Sequence, residues 1–115
     1  MSQDCIFCRI VAGEIPSRKV YEDEEILAFQ DIHPQAAVHI LVIPKRHIAS
    51  LAEVSAEDAA LMGALMAAVP KVALAAGCSK GWRSIINTGE QGGQEVGHLH
   101  LHILGGQSMP AMLKY

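Results

Sequence analysis

The segment His98-Leu99-His100-Leu101-His102-Ile103-Leu104 alternates histidine with aliphatic residues. A period of two belongs to a strand, where residues i, i+2 and i+4 share one face. A strand over 98–104 projects His98, His100 and His102 together, with neighbours ~6.6–6.8 Å apart along the chain. Leu99, Leu101 and Ile103 then point the other way, into a core. As a helix the same segment would scatter its histidines around the axis. One histidine on such a strand reads as part of a polar outer face. Three in register do not, because Thr, Lys or Glu would serve a solvent face as well. Imidazoles near their titration point suit two tasks: binding a metal, or cradling and attacking a phosphoryl group.

For phosphoryl chemistry the roles follow from position. The middle imidazole, His100, is the natural nucleophile, because a neutral ring nitrogen can attack phosphorus and form a covalent intermediate. A protonated neighbour, His98 or His102, can hydrogen-bond the non-bridging oxygens and help the leaving group depart. The loop Gly89-Glu90-Gln91-Gly92-Gly93-Gln94 just before the strand can add backbone N–H groups. It lacks the Gly-Lys-Ser/Thr ending of a P-loop, and taken alone it reads as a long hairpin connection.

The rest of the chain supplies a frame for this strand. Cys5 to Ala12 reads as one or two helical turns closed by Gly13 and Pro16. Lys19–Glu22 and Ile26–Gln30 read as strands joined by an acidic turn. Asp31 to Gln35 reads as a loop, and His39–Ile43 as a β-branched strand stopped by Pro44. Ser55 and Asp58 approach a capping box for a long helix with the stripe Leu61, Leu65, Val69, Val72. Gly77 suits its C-terminal cap, and Pro70 should kink it or split off its last turn. Trp82–Asn87 reads as a further strand, and Thr88–Gly97 as a loop. The pattern is that of one mostly antiparallel α+β domain.

Size and charge narrow the partners. A chain of 115 residues is one domain's worth. Nine basic against twelve acidic residues leave a formal charge of −3, so no basic field exists to hold long nucleic acid. The longest uncharged apolar run, Ala59–Pro70, falls short of the ~18–20 residues a membrane span needs. Met1–Phe7 lacks a signal-peptide pattern, and three cysteines make no paired framework. A cytoplasmic protein with no membrane partner is the expectation.

The alternating histidine segment resembles the signature of the histidine triad (HIT) superfamily. Further stretches resemble its nucleotide-binding branch: Ile6-Phe7, Gly13-Glu14-Ile15-Pro16, Ala28-Phe29-Gln30-Asp31-Ile32, His39 through Ile48, Asn87 and Gly92-Gly93-Gln94. The likeness spans about residues 4–106 of a single domain over 1–115, leaving 107–115 as a tail. It implies a five-stranded, mainly antiparallel sheet with one long and one short helix, and a homodimer that joins the sheets of two subunits. It also implies hydrolysis of nucleoside 5′-monophosphate amides and esters, chiefly purine nucleoside phosphoramidates. AMP, GMP and their derivatives are then the expected ligands, and catalysis needs no cofactor.

By position, the resemblance makes His100 the nucleophile, flanked by His98 and His102, with His39 as a fourth histidine near the site. Asp31 matches a ribose-hydroxyl acceptor, although by itself it reads as a turn Asp ahead of Pro34. Ile6, Phe7, Ile10, Phe29, Ile32 and Leu41 match an apolar base pocket, where the residues alone read as ordinary core. Asn87 matches a contact to the phosphate or leaving group. Gly93, Gln94, Glu95 and Val96 match the phosphate loop. Glu95 replaces a Ser common in relatives, and because a carboxylate repels phosphate it is expected to face away. Gly97 replaces a common Tyr. Met109, Met112 and Leu113 in the tail could dock on a partner subunit or fray.

Cys5-x-x-Cys8 has the spacing of zinc ligands, but a lone pair is not a site. A redox pair or two core cysteines are the alternatives, and the βαβ context of the redox reading is absent. Some histidine triad relatives carry a zinc at such a pair, which implies Cys5, Cys8, His47 and His98 as a structural site away from the chemistry. Cys78 reads as a buried thiol, and His33 as exposed. Competing readings are a dinucleoside polyphosphate hydrolase of the sister branch, a non-catalytic nucleotide-binding or scaffold protein, and a metal-centred cupin-like domain.

Overall fold

A computed structural model describes residues 5–113. Asp4, the expected start of the core, and the tail residues Lys114 and Tyr115 lie outside them. The chain runs α1 (Ile6–Val11), β1 (Lys19–Glu22), β2 (Ile26–Gln30), β3 (Val38–Pro44), α2 (Ala59–Ala75), β4 (Trp82–Ile85) and β5 (Leu101–Gly105). The strands form one antiparallel sheet in the order β1-β2-β3-β5-β4. The sheet and the two helices agree with the fold expected from the sequence.

Local chemistry explains these boundaries. Asp23 turns the β1–β2 hairpin by accepting the N–H groups of Glu25 and Ile26, both at 2.8 Å. Ser55 and Asp58 complete a capping box over a short 3-10 turn, Ala56–Asp58, that leads into α2. Gly77, at φ +94°, ends the helix: its N–H reaches Leu74 O, and the Cys78 N–H reaches Ala73 O. Pro70 does not split α2 as expected. It lies on the exposed face of a helix that continues to Ala75.

The two faces of the sheet are covered unequally. Leu61, Leu65, Val69 and Val72 of α2 bury against Ile26, Ala28, Ile40, Val42, Leu101 and Ile103. The opposite face carries Leu27, Phe29, Leu41 and Ile43, which pack with Cys5, Phe7, Cys8 and Ile10 of the α1 region. With its preceding turn, α2 gives a 20-residue helix, long and apolar enough by composition to cross a membrane. The uninterrupted run of apolar residues did not suggest this length. Here its buried stripe is committed to the sheet.

Strand β5 starts at Leu101, three residues later than the alternation predicts. The register pairs Leu101 with Val42, which would bring Pro44 opposite Leu99. Pro44 has no N–H, so the ladder ends there. The Leu99 N–H turns to Ile48 O instead. Strand β4 likewise ends at Ile85, before Asn87. The beginning of the tail is held down: Gln107 accepts the Ala37 N–H at 2.7 Å, and Arg83 donates to Pro110 O. Met112 and Leu113 are exposed.

Candidate active site and metal centre

Although two of them precede β5, the three histidines stay on the sheet face that α1 covers. Phe7 packs edge-on to both His98 and His100, with ring centroids 5.8 and 5.3 Å apart, and the His100 and His102 rings lie 5.0 Å apart. His39 reaches the same place from β3, because it and His102 occupy the same face of adjacent strands. Leu99, Leu101 and Ile103 are buried on the α2 side, as the alternation requires.

Hydrogen bonds assign the proton on each ring. The Gln35 backbone N–H can only donate, so His39 Nδ1, at 3.0 Å, accepts. In the neutral ring the His39 proton is then on Nε2. That nitrogen lies 2.9 Å from His102 Nδ1 and 3.4 Å from Asp31 Oδ2. Donation to His102 leaves its proton on Nε2. His100 Nδ1 donates to the His98 carbonyl at 2.6 Å, so in the neutral ring His100 Nε2 carries a free lone pair. His98 Nε2 donates to Pro44 O at 2.8 Å, which leaves His98 Nδ1 as an acceptor.

Burial favours the neutral form of His39, His98 and His102. Desolvation lowers the pKa of His102 to about 4, helped by His100 and His39 and opposed by Asp31. Desolvation also lowers His39 against the pull of Asp31, and lowers His98 against its bond to Pro44. Both neighbours of His100, His98 and His102, are shifted toward the neutral form. Asp31, His39 and His102 bring their polar atoms within 4.8 Å of one another, and the hydrogen bond from His39 Nε2 to His102 with the nearby Asp31 carboxylate accounts for that convergence.

The other expected residues divide. Phe7, Ile10, Phe29 and Leu41 form the apolar floor beneath the histidines, with Val96 against it. Ile6 is 46% exposed and Ile32 83% exposed, so neither is core. Asp31 does make the turn its sequence suggests, accepting the His33 N–H on Oδ1, while Oδ2 faces His39. Asn87 donates to Gly92 O at 2.8 Å, and Gln94 bonds Gly89 N, Ala49 O and Val96 O through its side chain. These two residues build the loop. Gly92 is required there, since a Cβ would stand 2.2 Å from Thr88 O. The N–H groups of Gly93 and Gln94 bond Glu90 O and Gly89 O, so they are not free donors. Those of Glu95 and Val96 have no backbone partner among the described residues. Glu95 is exposed, and Lys45 and Arg46 are paired with Glu22 and Asp58.

A second cluster abuts the first. Cys5 Sγ lies 3.3 Å from His98 Nδ1, and Cys8 Sγ lies 3.2 Å from His47 Nδ1 and 3.6 Å from His98 Nδ1. The four residues present their ligand atoms within 4.8 Å of one another and could hold a metal ion. Cys5 is also the N-cap of α1, its sulfur accepting the Cys8 N–H. The cluster adjoins the other histidines through His98, which belongs to both sets, as the sequence placed it. Sequence reasoning missed the Gln35 N–H, which carries no side-chain signal.

Comparison with known proteins agrees with this geometry. The HIT domain model matches residues 12–109. A histidine triad protein from Clostridium difficile superposes with a TM-score of 0.92 at 47% identity, over 96% of each chain. A HIT family hydrolase from Legionella pneumophila superposes with a TM-score of 0.91 at 46% identity, over 95% of this chain and 98% of that one. The purine nucleoside phosphoramidase of Escherichia coli K12 is 43% identical over all of this chain and 98% of its own. A histidine cluster on an antiparallel sheet, with a sequence model that matches most of the chain, places this protein in the HIT domain family.

Proposed function

We propose that the chain hydrolyses nucleoside 5′-monophosphate amides and esters, purine nucleoside phosphoramidates foremost, through a nucleotidyl group on His100. The observation that carries this reading is the 2.6 Å bond from His100 Nδ1 to the His98 carbonyl, which directs the ring's free lone pair to Nε2. That nitrogen attacks phosphorus in line, the P–N or P–O bond to the leaving group breaks, and the leaving atom gains a proton. That proton comes from solvent; the neutral His102, whose own proton sits on Nε2 once His39 occupies Nδ1, hydrogen-bonds the phosphate oxygens through that N–H and keeps it. Water then attacks the phosphorus from the side opposite His100, releasing the nucleotide and restoring the imidazole.

Binding follows the same division. The Glu95 and Val96 N–H groups, which no backbone carbonyl takes among the described residues, are loop donors for phosphate oxygens. Asp31 Oδ2 accepts a ribose hydroxyl, and the base lies on Phe7, Phe29, Ile10 and Leu41, with Ile6 and Ile32 at its edges. The E. coli relative's name supports a purine substrate. A fluorogenic adenosine phosphoramidate tests the reading: turnover by the native chain and none by His100→Asn is expected. Saturable AMP binding without turnover would leave only a nucleotide-binding module.

The cysteine–histidine cluster fits zinc. A tetrahedron with ordinary Zn–S and Zn–N bonds has S···N edges of about 3.6 Å, and the observed separations are 3.2, 3.3 and 3.6 Å. The bond from His98 Nε2 to Pro44 O is the support a ligating imidazole normally has. Zinc bound there would tie α1 to the segments that follow β3 and precede β5, and leave catalysis to the imidazoles. Three buried cysteines suit a reducing, cytoplasmic compartment. Edge strand β4 and the apolar exposed side of α2, with Met66 and Leu74, support a homodimer.

A further inference from the structure

We infer that the Cys5–Cys8–His47–His98 cluster positions the nucleophile: it holds the His98 ring, and the His98 carbonyl holds His100. The inference rests on the reading of His100 given above.

His98 is fully buried. Its ring is gripped at both nitrogens, by Pro44 O at 2.8 Å and by the two cysteine sulfurs at 3.3 and 3.6 Å. Phe7 and His47 pack edge-on against it. Its carbonyl accepts the only hydrogen bond found for the His100 ring among the described residues. This carbonyl is not part of the sheet, because the β3–β5 ladder ends at the Val42–Leu101 pair. Residues 98–100 are anchored instead by the His98 N–H to Val96 O, the Leu99 N–H to Ile48 O, and the His98 ring. A strand would fix this carbonyl through its ladder. Here that task falls in large part to the side chain, and so to the cluster around it.

The arrangement has a consequence for rate. If the cluster opens, the His98 carbonyl can rotate, and the His100 ring loses the bond that directs its lone pair to Nε2. The nucleophile is then present but poorly aimed, which lowers kcat more than it raises KM. A metal that only stapled α1 to the sheet would act through Phe7 and Ile10 on the base pocket, and would raise KM instead.

The test compares the zinc-loaded protein with the same protein stripped by chelator and then reloaded. Zinc content, far-UV circular dichroism, kcat and KM for the phosphoramidate, and the imidazole N–H proton spectrum are followed. The zinc-loaded protein should show a downfield His100 Nδ1–H signal. Stripping should abolish that signal and lower kcat about tenfold or more, with unchanged circular dichroism, and zinc should restore both. Cys5→Ser removes a sulfur ligand but keeps an N-cap oxygen, so α1 retains its start. It should reproduce the stripped state. Should that variant fail to fold, the stripped native chain decides. The inference is overturned if no zinc binds, if the signal persists without zinc, or if only KM changes. If no state turns over substrate, the functional reading fails, and the His100 signal still decides the coupling.

Discussion

His39 Nε2 lies 2.9 Å from His102 Nδ1, and the Gln35 backbone N–H on the far side of the His39 ring gives that contact its direction. An amide that can only donate thereby determines which nitrogen of His102 carries the proton two rings away. Changing His39 to Ala should lower kcat about 10- to 100-fold by freeing the His102 tautomer and rotamer. KM should change by no more than a few-fold. Steady-state kinetics on the fluorogenic phosphoramidate separates the two parameters. A large rise in KM with kcat retained would place His39 in binding instead.

The same burial predicts a pH dependence of stability. The pKa of His102 is lowered to about 4 in the fold, and that of His39 is lowered also. An unfolded histidine binds its proton near pH 6.5, so the unfolded chain holds more protons between about pH 6.5 and 4. The contribution of these neutral rings is fully present above pH 6.5 and is lost as pH falls through that window. Urea midpoints should therefore fall from pH 7 to pH 5, and His102→Asn should flatten part of the slope. An unchanged midpoint over this range would contradict the buried neutral pair.

Gly92 has a steric reason to be glycine, since an added Cβ would meet Thr88 O at 2.2 Å. Gly92→Ala should force the 89–94 loop open, at a cost of about 1–3 kcal/mol, and disturb the Asn87 bond to Gly92 O. Activity should fall while β-sheet circular dichroism persists. Native activity in this variant would show that the loop does not shape the site.

Met66 and Leu74 are more than half exposed on α2. If that face and edge strand β4 meet a second copy, Met66→Lys with Leu74→Lys should convert a dimer to a monomer. Light scattering after size exclusion reads the mass directly. A native chain that is already monomeric would refute the dimer.

How much of this was legible in the sequence depends on what each signal measures. Period-two alternation correctly placed the three histidines on one face and Leu99, Leu101 and Ile103 on the other. It could not show that the ladder stops at Leu101, because that limit comes from Pro44 on a partner strand distant in the chain. Capping chemistry placed the start and end of α2 well, since Ser55, Asp58 and Gly77 act locally. Pro70 does not split off the last turn of α2, because the cost of a missing N–H depends on whether the site faces water, which a local pattern does not record. The glycine loop was visible as a loop, yet its hydrogen bonds to itself were not. The cysteine–histidine set was assembled from the family likeness. Its contact with the nucleophile, through the two faces of His98, appears only when Cys5, His47 and His100 are seen together in space.

The central claim is a covalent bond between His100 Nε2 and the phosphorus of the substrate. Rapid acid-free quenching of the protein with an adenosine phosphoramidate, followed by peptide mass spectrometry, tests it most directly. A nucleotidyl adduct on His100 that forms and decays at rates matching turnover is the result predicted here. Full turnover with no adduct, or with the adduct on another residue, would contradict it.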